Sequence, residues 1–178
     1  HYEALRIIPG MQVFRPGDAE ETNIAWLMAV SEEKRPTSIL LTRQNLTVYP
    51  KDDKNWVDNL KNGAYIVKDA TDPEVIVVAT GSEVNVALDA VKLSNKRIRV
   101  ISMLSKELFK AAPNEYKNNL LPGGVKVVTA ESGVTSGWMD FASSSSSRLG
   151  IDTFGISGPG DKVATALNLT PEKLLELF

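Results

Sequence analysis

The 178-residue chain contains no cysteine and only one histidine, His1. The absence of cysteine excludes disulfide frameworks, thiol nucleophiles and zinc-thiolate sites. One terminal imidazole cannot provide a catalytic base together with the second group that orients it, and it provides only one metal ligand. The sequence therefore excludes most metal centres and the histidine-dependent serine and cysteine hydrolases.

Two further absences concern the partners of the chain. The sequence has no apolar run near the roughly 20 residues that cross a bilayer, and it does not begin with a basic-then-apolar signal. We therefore expect no membrane contact and a cytoplasmic location. The 20 basic and 22 acidic side chains give a net charge of −2 with no dense basic stripe, so nucleic acid is not an expected partner.

The first part of the chain is typical of a strand, a helix and a second strand. Residues 11–14 form a short apolar segment, and Asp18 can cap the free amides of a following helix. The aliphatic run at 37–43 predicts a buried strand. Asp18, Glu20 and Glu21 could also form an acid-base or Mg²⁺ cluster. Consecutive carboxylates are common at a helix start, however, so the helix-cap interpretation is favoured.

From residue 64 onward, predicted strands alternate with helices. Residues 44–63 are polar and are interpreted as a linker. An amphipathic helix is predicted after Gly81, and a helical region at 106–121 is interrupted by Pro113. This alternation predicts an α/β fold with a mostly parallel sheet flanked by helices. The predicted strands are 64–69, 74–81, 97–103 and 125–130.

The last third of the chain contains a serine run and predicted helix starts. Residues 136–142 predict the start of a helix, and the Ser143–Ser147 run predicts a mobile loop or an exposed helix surface. Thr170 before Pro171 is a strong helix start, since a capping hydroxyl precedes a proline at the first helical position.

Two glycine-containing turns are interpreted as structural. Gly158-Pro159-Gly160 matches only half of a dinucleotide-binding fingerprint, so a plain turn with Asp161 as the helix N-cap is favoured. Gly81-Ser82-Glu83 stands between a strand and a helix, where an anion can bind, but ordinary helix capping is the favoured interpretation.

Arg43 is the candidate binding residue of the sequence. It stands at the end of the predicted strand at 37–43 and is followed by Gln44 and Asn45. Ligands of open α/β sheets bind beyond the carboxyl ends of strands, and a guanidinium group can hold a phosphate with a fork of donors. From the residues alone, phosphate binding and a structural ion pair are equal alternatives.

Several blocks of the sequence together resemble transketolase, from near the end of its pyrimidine-binding domain through its C-terminal domain. The blocks occur in the family's order with nearly its spacing, and they cover most of the chain. Thr42 stands where the family usually has serine. The blocks are LRIIPGMQVFRPGDAEET, PTSILLTRQNL, VIVVATGSEV, GIDTFGISG and LTPEKL.

The resemblance implies a domain division. Residues 1–49 would be a remnant of the pyrimidine-binding domain, residues 50–63 a linker, and residues 64–178 a transketolase C-terminal domain with a mostly parallel sheet flanked by helices. We expect the remnant to expose apolar surface, which is either covered by a partner chain or makes the chain prone to aggregate.

The resemblance also implies a function. The intact enzyme would be a cytoplasmic homodimer of the pentose phosphate pathway, and it would use thiamine diphosphate and Mg²⁺ to transfer a two-carbon ketol unit between sugar phosphates. Arg43 matches the arginine that binds the substrate phosphate in the family. His1 does not match the family's substrate-binding histidine, because it lies several residues after that position.

The segments that hold the cofactor and the metal in the family do not match any part of this chain. The resemblance therefore assigns it no catalytic, cofactor-binding or metal-binding residue. The isolated fragment is expected to bind no cofactor, to be inactive and to serve structure and dimerisation. The alternatives are a related thiamine-diphosphate enzyme similar to deoxyxylulose-phosphate synthase, and a non-catalytic structural or regulatory α/β module.

Overall fold

A computed structural model describes all residues from 1 to 178. None of its helices is both long and apolar enough to span a membrane. The helices are α1 Tyr2–Arg6, α2 Ala19–Ser31, α3 Trp56–Leu60, α4 Glu83–Leu93, α5 Lys106–Ala111, α6 Asn114–Leu120, α7 Gly160–Ala166 and α8 Pro171–Leu175. The strands are β1 Gln12–Phe14, β2 Thr37–Ile39, β3 Ala64–Lys68, β4 Val75–Ala79, β5 Ile98–Met103, β6 Lys126–Ala130 and β7 Arg148–Leu149.

The strands form two sheets. The first is a parallel pair of β1 and β2, connected by α2. The second has five strands in the order β3-β5-β4-β6-β7, and only the edge strand β3 runs antiparallel to its neighbour. The predicted α/β class with a mostly parallel sheet is therefore confirmed.

The five-stranded sheet has a hydrophobic core on each face. All residues of β4 are buried, as expected for a central strand covered on both sides. One core includes Tyr65, Val77 and Leu174 and also takes in Phe14 from β1. The other is built around Trp138 with residues such as Phe109 and Leu120. Because Phe14 lies in the first core, the two sheets share buried apolar contacts.

The β1–β2 pair is shorter than predicted. The strand expected at 37–43 ends at Ile39, so its last four residues were assigned wrongly. Leu40 still donates its N–H to Phe14 O at 2.8 Å, but Arg15 donates its N–H to Leu104 O at 2.9 Å, next to the other sheet. Because β1 stops pairing with β2 at this point, the residues after Ile39 have no neighbouring strand with which to continue the sheet.

The helix expected at 136–142 is limited to a single 3-10 turn, Thr135–Trp138. Trp138 is buried and its indole N–H donates to Glu131 at 2.7 Å, and this contact fixes the turn against the sheet. The expected N-cap at Asp161 is also wrong, because α7 begins at Gly160 with Pro159 in the cap position. The capped start at Thr170 is confirmed, since its side chain accepts from the Lys173 N–H.

The serine run is organised by the sheet beside it. Residues 143–146 are exposed, but Ser147 is buried within a 3-10 turn. The N–H of Val127 in β6 donates to Ser143 Oγ at 2.7 Å, and Ser143 N–H donates back to Val127 O at 3.0 Å. The run is thus a largely exposed segment that is anchored to β6 through Ser143, and its mobility stays a prediction.

The N-terminal part of the chain, which contains α2 and the β1–β2 pair and is called the first unit below, exposes apolar side chains, as predicted. On α2, Trp26 is 55% exposed and Val30 is 71% exposed, and Leu27 lies between them at 55%. Leu41, just after β2, is 57% exposed. An exposed apolar surface of this kind is typical of a face that another part of a protein covers.

Candidate functional site

The carboxyl ends of β4, β5 and β6 meet at one edge of the five-stranded sheet, where open α/β sheets bind ligands. Arg15 directly follows β1, and its backbone forms hydrogen bonds to this edge. Its N–H donates to Leu104 O after β5, and its carbonyl accepts from the Gly81 N–H after β4 at 3.0 Å. The first unit is therefore bound at the usual ligand position of the second sheet.

The side chain of Arg15 lies in the crevice at the carboxyl ends of these strands. Its Nη1 donates to Glu131 at 2.9 Å, and its Nη2 lies 3.3 Å from Glu83 and 3.1 Å from Ser132 Oγ. The ring of Tyr2 covers the guanidinium at 4.3 Å from its centroid. Arg15, Glu83 and Glu131 are each at most 5% exposed, so the ion pairs are shielded from water.

Glu131 is the centre of this crevice. Besides Arg15, Arg6 donates to both of its carboxylate oxygens, at 2.7 and 2.8 Å, and the indole of Trp138 donates at 2.7 Å. Burial opposes ionisation of this carboxyl, but the hydrogen bonds and charge of Arg6, with the charge of Arg15, outweigh it and lower the Glu131 pKa to about 2. The carboxylate is therefore charged at neutral pH.

Gly81 makes room for the arginine. Its φ of +62° lies in the left-handed region, and a Cβ there would lie 2.7 Å from Nη2 of Arg15. Ser82, by contrast, makes no side-chain capping bond to α4. Ser82 Oγ donates instead to Glu83 at 2.7 Å. The helix-capping interpretation of this turn is therefore wrong, since the turn serves the close approach of a guanidinium.

A second buried acidic site joins α2 to the larger sheet. Glu21 is fully buried, and its Oε1 accepts from the phenols of Tyr49 and Tyr65, both at 2.7 Å. Its other oxygen accepts from the Gly17 N–H at 2.7 Å. Burial raises the pKa of Glu21 in spite of these hydrogen bonds.

The neighbouring carboxylates of the helix start are paired. Asp18 accepts from the Glu21 N–H at 2.8 Å, which confirms the predicted N-cap. Lys51 donates to Asp18 at 2.6 Å and to Glu20 at 2.7 Å. Glu21 is thus more than a residue of the helix cap, because it is the residue of this group that binds the helix to Tyr49 and, through Tyr65, to the larger sheet.

Arg43 lies apart from both buried sites. It is exposed, beyond the carboxyl end of β2, and it makes no hydrogen bond or ion pair within the chain. Each of the other arginines has an acceptor, namely Arg6, Arg15, Arg35, Arg97, Arg99 and Arg148.

The segment around Arg43 faces the start of α7. Gln44 packs so closely on Gly160 that a Cβ there would lie 2.7 Å from its amide nitrogen. Gln44 also accepts a 2.8 Å hydrogen bond from Thr42 Oγ1. The guanidinium of Arg43 is thus free to meet a ligand, while its neighbours on either side are engaged.

The Arg15 crevice was not predicted from the sequence, although a signal for it exists. Glu131 directly follows the apolar strand β6, and Glu83 lies just beyond the end of β4. The rule that drew attention to Arg43, polar residues after a buried strand, applies equally to these two glutamates.

The chain does not bring together the donors that a catalytic metal or a diphosphate cofactor requires. No group of three or more His, Cys, Asp or Glu side chains is placed to hold a metal ion. The crevice at the ends of β4 and β6 is already filled by Arg15. The residues of this chain therefore do not fit thiamine diphosphate and Mg²⁺.

Comparison with known sequences gives two matches along the chain. The model of the transketolase-like TK C-terminal domain matches residues 63–170, more than half of the chain. The model of the transketolase pyrimidine-binding domain matches residues 1–48. The chain belongs to the transketolase family. The resemblance seen in the sequence is thereby confirmed.

Individual transketolases agree over nearly the whole chain. The transketolase of Treponema pallidum (strain Nichols) is 46% identical over 177 residues, which are 98% of this chain and 26% of that protein. The structure of transketolase from Leishmania mexicana has a TM-score of 0.90 and 37% identity, covering 98% of this chain and 25% of that one.

A structure of Pichia stipitis transketolase in complex with sedoheptulose 7-phosphate also has a TM-score of 0.90, with 30% identity and the same coverage. The chain thus spans about a quarter of the length of the transketolases that it matches.

Proposed function

We propose that this chain acts as the C-terminal part of a transketolase that transfers a two-carbon ketol unit between sugar phosphates. Family membership supports the activity, and the sugar-phosphate complex of the Pichia stipitis enzyme supports the substrate class. Thiamine diphosphate and Mg²⁺ belong to the proposal for the full-length enzyme. Their ligands would come from outside this chain, since its own residues do not form such a site.

Arg43 is proposed to bind the phosphate of the sugar substrate. The observation that carries this role is its position: it is exposed beyond the carboxyl end of β2 and is the one arginine of the chain without an internal acceptor. The structure thus favours phosphate binding over the structural ion pair that the sequence left open. A phosphate held there orients the sugar, so that binding energy far from the reacting carbon serves catalysis.

The domain division of the sequence analysis is also part of the proposal. Residues 1–49 would belong to the pyrimidine-binding domain, 50–63 to a linker, and 64–178 to the C-terminal domain. The support is that the β1–β2 pair and the five-stranded sheet are separate sheets, and that the two family matches cover 1–48 and 63–170.

The role proposed for the chain itself is structural. The exposed apolar face of α2, around Trp26 and Val30, supports a contact with further protein in a homodimer. A cytoplasmic location and a place in the pentose phosphate pathway complete the proposal and rest on the family alone.

A ketol-transfer assay tests this proposal. The 178-residue chain and a full-length enzyme that contains it are each assayed with and without thiamine diphosphate and Mg²⁺. We expect cofactor-dependent transfer from the full-length enzyme and none from the chain. Transfer by the isolated chain, or a full-length enzyme that is inactive with both cofactors present, would contradict the proposal.

A further inference from the structure

We infer that the crevice at the carboxyl ends of β4, β5 and β6 is a guanidinium-binding site, that Arg15 is its resident ligand, and that this binding docks the N-terminal unit on the C-terminal domain. The inference concerns assembly of the chain and does not depend on the proposed activity.

The topology places a ligand site at this position. From β4 the chain passes through α4 to β5 on one side, and then through α5 and α6 to β6 on the other side. The strand order therefore reverses beside β4. A crevice opens at such a switch point in doubly wound sheets, and it is the general place for a ligand.

The crevice has the parts of a binding site rather than of a surface ion pair. Two buried carboxylates, Glu83 and Glu131, approach the two terminal nitrogens of Arg15 separately, and Ser132 Oγ adds an acceptor at 3.1 Å. Gly81 provides the close backbone approach, and the Tyr2 ring closes the open side at 4.3 Å. A planar fork of donors fits this arrangement, whereas an ammonium group offers only a point charge.

The two carboxylates, Glu83 and Glu131, are held in place by residues of their own unit, the one with the five-stranded sheet. Ser132 N–H donates to Glu83 Oε2 at 2.9 Å, and Trp138 N–H donates to Glu131 Oε2 at 2.7 Å. Glu131 directly follows β6, and Glu83 is the first residue of α4, shortly after the end of β4. A site whose acceptors are positioned by their own domain keeps its shape when the occupant is removed.

The guanidinium that occupies the crevice belongs to the first unit. Arg15 is the residue after β1, and its backbone is fixed by Leu104 and Gly81 at the ends of β5 and β4. Arg6, on α1, supplies a second guanidinium to Glu131. Both cations therefore come from the first fifteen residues, while both acids come from the five-stranded domain.

Chemical rescue provides the test. Arg15→Ala removes the guanidinium, so that Glu83 loses its cation and Glu131 keeps only its pair with Arg6. Thermal unfolding is followed while ethylguanidinium chloride is added at low millimolar concentration, and ethylammonium chloride at the same concentration is the control. We expect the variant to melt lower than the unchanged protein, and ethylguanidinium to raise its Tm saturably by about 2–6 °C. Ethylammonium is expected to have little effect.

Matched variants make the result specific. Arg35→Ala removes an arginine that pairs with Glu32 at the surface, and neither it nor the unchanged protein should show a saturable rise. The indole N–H signal of Trp138, assigned by loss in Trp138→Phe, should shift in Arg15→Ala and return with ethylguanidinium, because it reports on the shared Glu131.

Equal responses of the Arg15→Ala variant to the two cations, or no saturable response, would overturn the inference. Arg15→Met keeps the apolar stem without the charged head and replaces the alanine variant if that variant does not fold. If neither folds, the refolding yield with ethylguanidinium against ethylammonium is decisive in the same way, and equal yields reject a guanidinium site.

Discussion

Nη2 of Arg15 lies so close to Gly81 that a Cβ added to the glycine would be 2.7 Å from it. The glycine is therefore defined by two demands at once, a left-handed φ of +62° and contact with a buried cation. Because the cation belongs to the N-terminal unit, a change at Gly81 should loosen the contact between the two sheets.

Gly81→Ala should destabilise the chain by more than the strain of its backbone. A left-handed residue that is not glycine costs roughly 1–2 kcal/mol, and displacement of Arg15 adds the loss of its ion pairs. Gly124→Ala is the control, since Gly124 has a φ of +85° but no atom near its Cβ position. Urea unfolding of both variants should show the larger loss for Gly81→Ala, and equal losses would reject the packing argument.

Glu131→Gln should remove a large part of the stability at neutral pH. Arg6 and Arg15 would then be buried without their shared counter-charge, a loss of about 3–5 kcal/mol for a broken buried pair. Asp140→Asn, at an exposed ion pair with Lys110, is the control and should change the free energy of unfolding little. A similar small effect for both variants would mean that the crevice contributes little to stability.

Glu131 also predicts the acid limb of the pH profile. Its folded pKa of about 2 lies below that of an unfolded glutamate, about 4.3. The stabilisation is therefore fully present above the unfolded pKa and is lost as pH falls from about 4.3 towards 2. Glu131→Gln should flatten the fall of the unfolding free energy in this window. An unchanged acid slope in the variant would contradict the assigned role.

Glu21 predicts a pH effect of the opposite sign. Burial raises its folded pKa, so the native state binds more protons than the unfolded state once pH exceeds the usual glutamate value. Stability from this group therefore falls as pH rises above about 4.3. In Glu21→Gln this decline should be absent. The free energy of unfolding of the variant should therefore increase with pH relative to that of the unchanged protein. Glu20→Gln, one position earlier and exposed, should keep the original slope.

The predictable parts of the fold are those governed by local pattern. Continuous apolar runs located β4, β5 and β6, and a capping side chain followed by proline located the start of α8. The length of β2 was not predictable from its own sequence. Its aliphatic run continues past Ile39, but its partner β1 turns away to pair Arg15 with Leu104.

The buried polar sites required the tertiary structure. Glu21 has the sequence features of an ordinary first-turn carboxylate, and only the fold brings Tyr49 to it from the segment before the linker and Tyr65 from β3. Arg15 and Glu131 are likewise 116 positions apart. Arg43 could be named as a candidate from the sequence because its signal is local: it lies shortly after an aliphatic run and in a block shared with transketolase.

The central claim, that Arg43 binds the substrate phosphate, is tested most directly by the substrate dependence of Arg43→Ala in the full-length enzyme. Loss of a charge-assisted phosphate contact of about 1.5–3 kcal/mol predicts a fall of roughly 10- to 150-fold in kcat/KM for a phosphorylated aldose acceptor. The value for the same aldose without its phosphate should be nearly unchanged. Arg35→Ala, at a surface ion pair, should affect neither substrate. An equal fall for both acceptors, or no fall for either, would contradict the account.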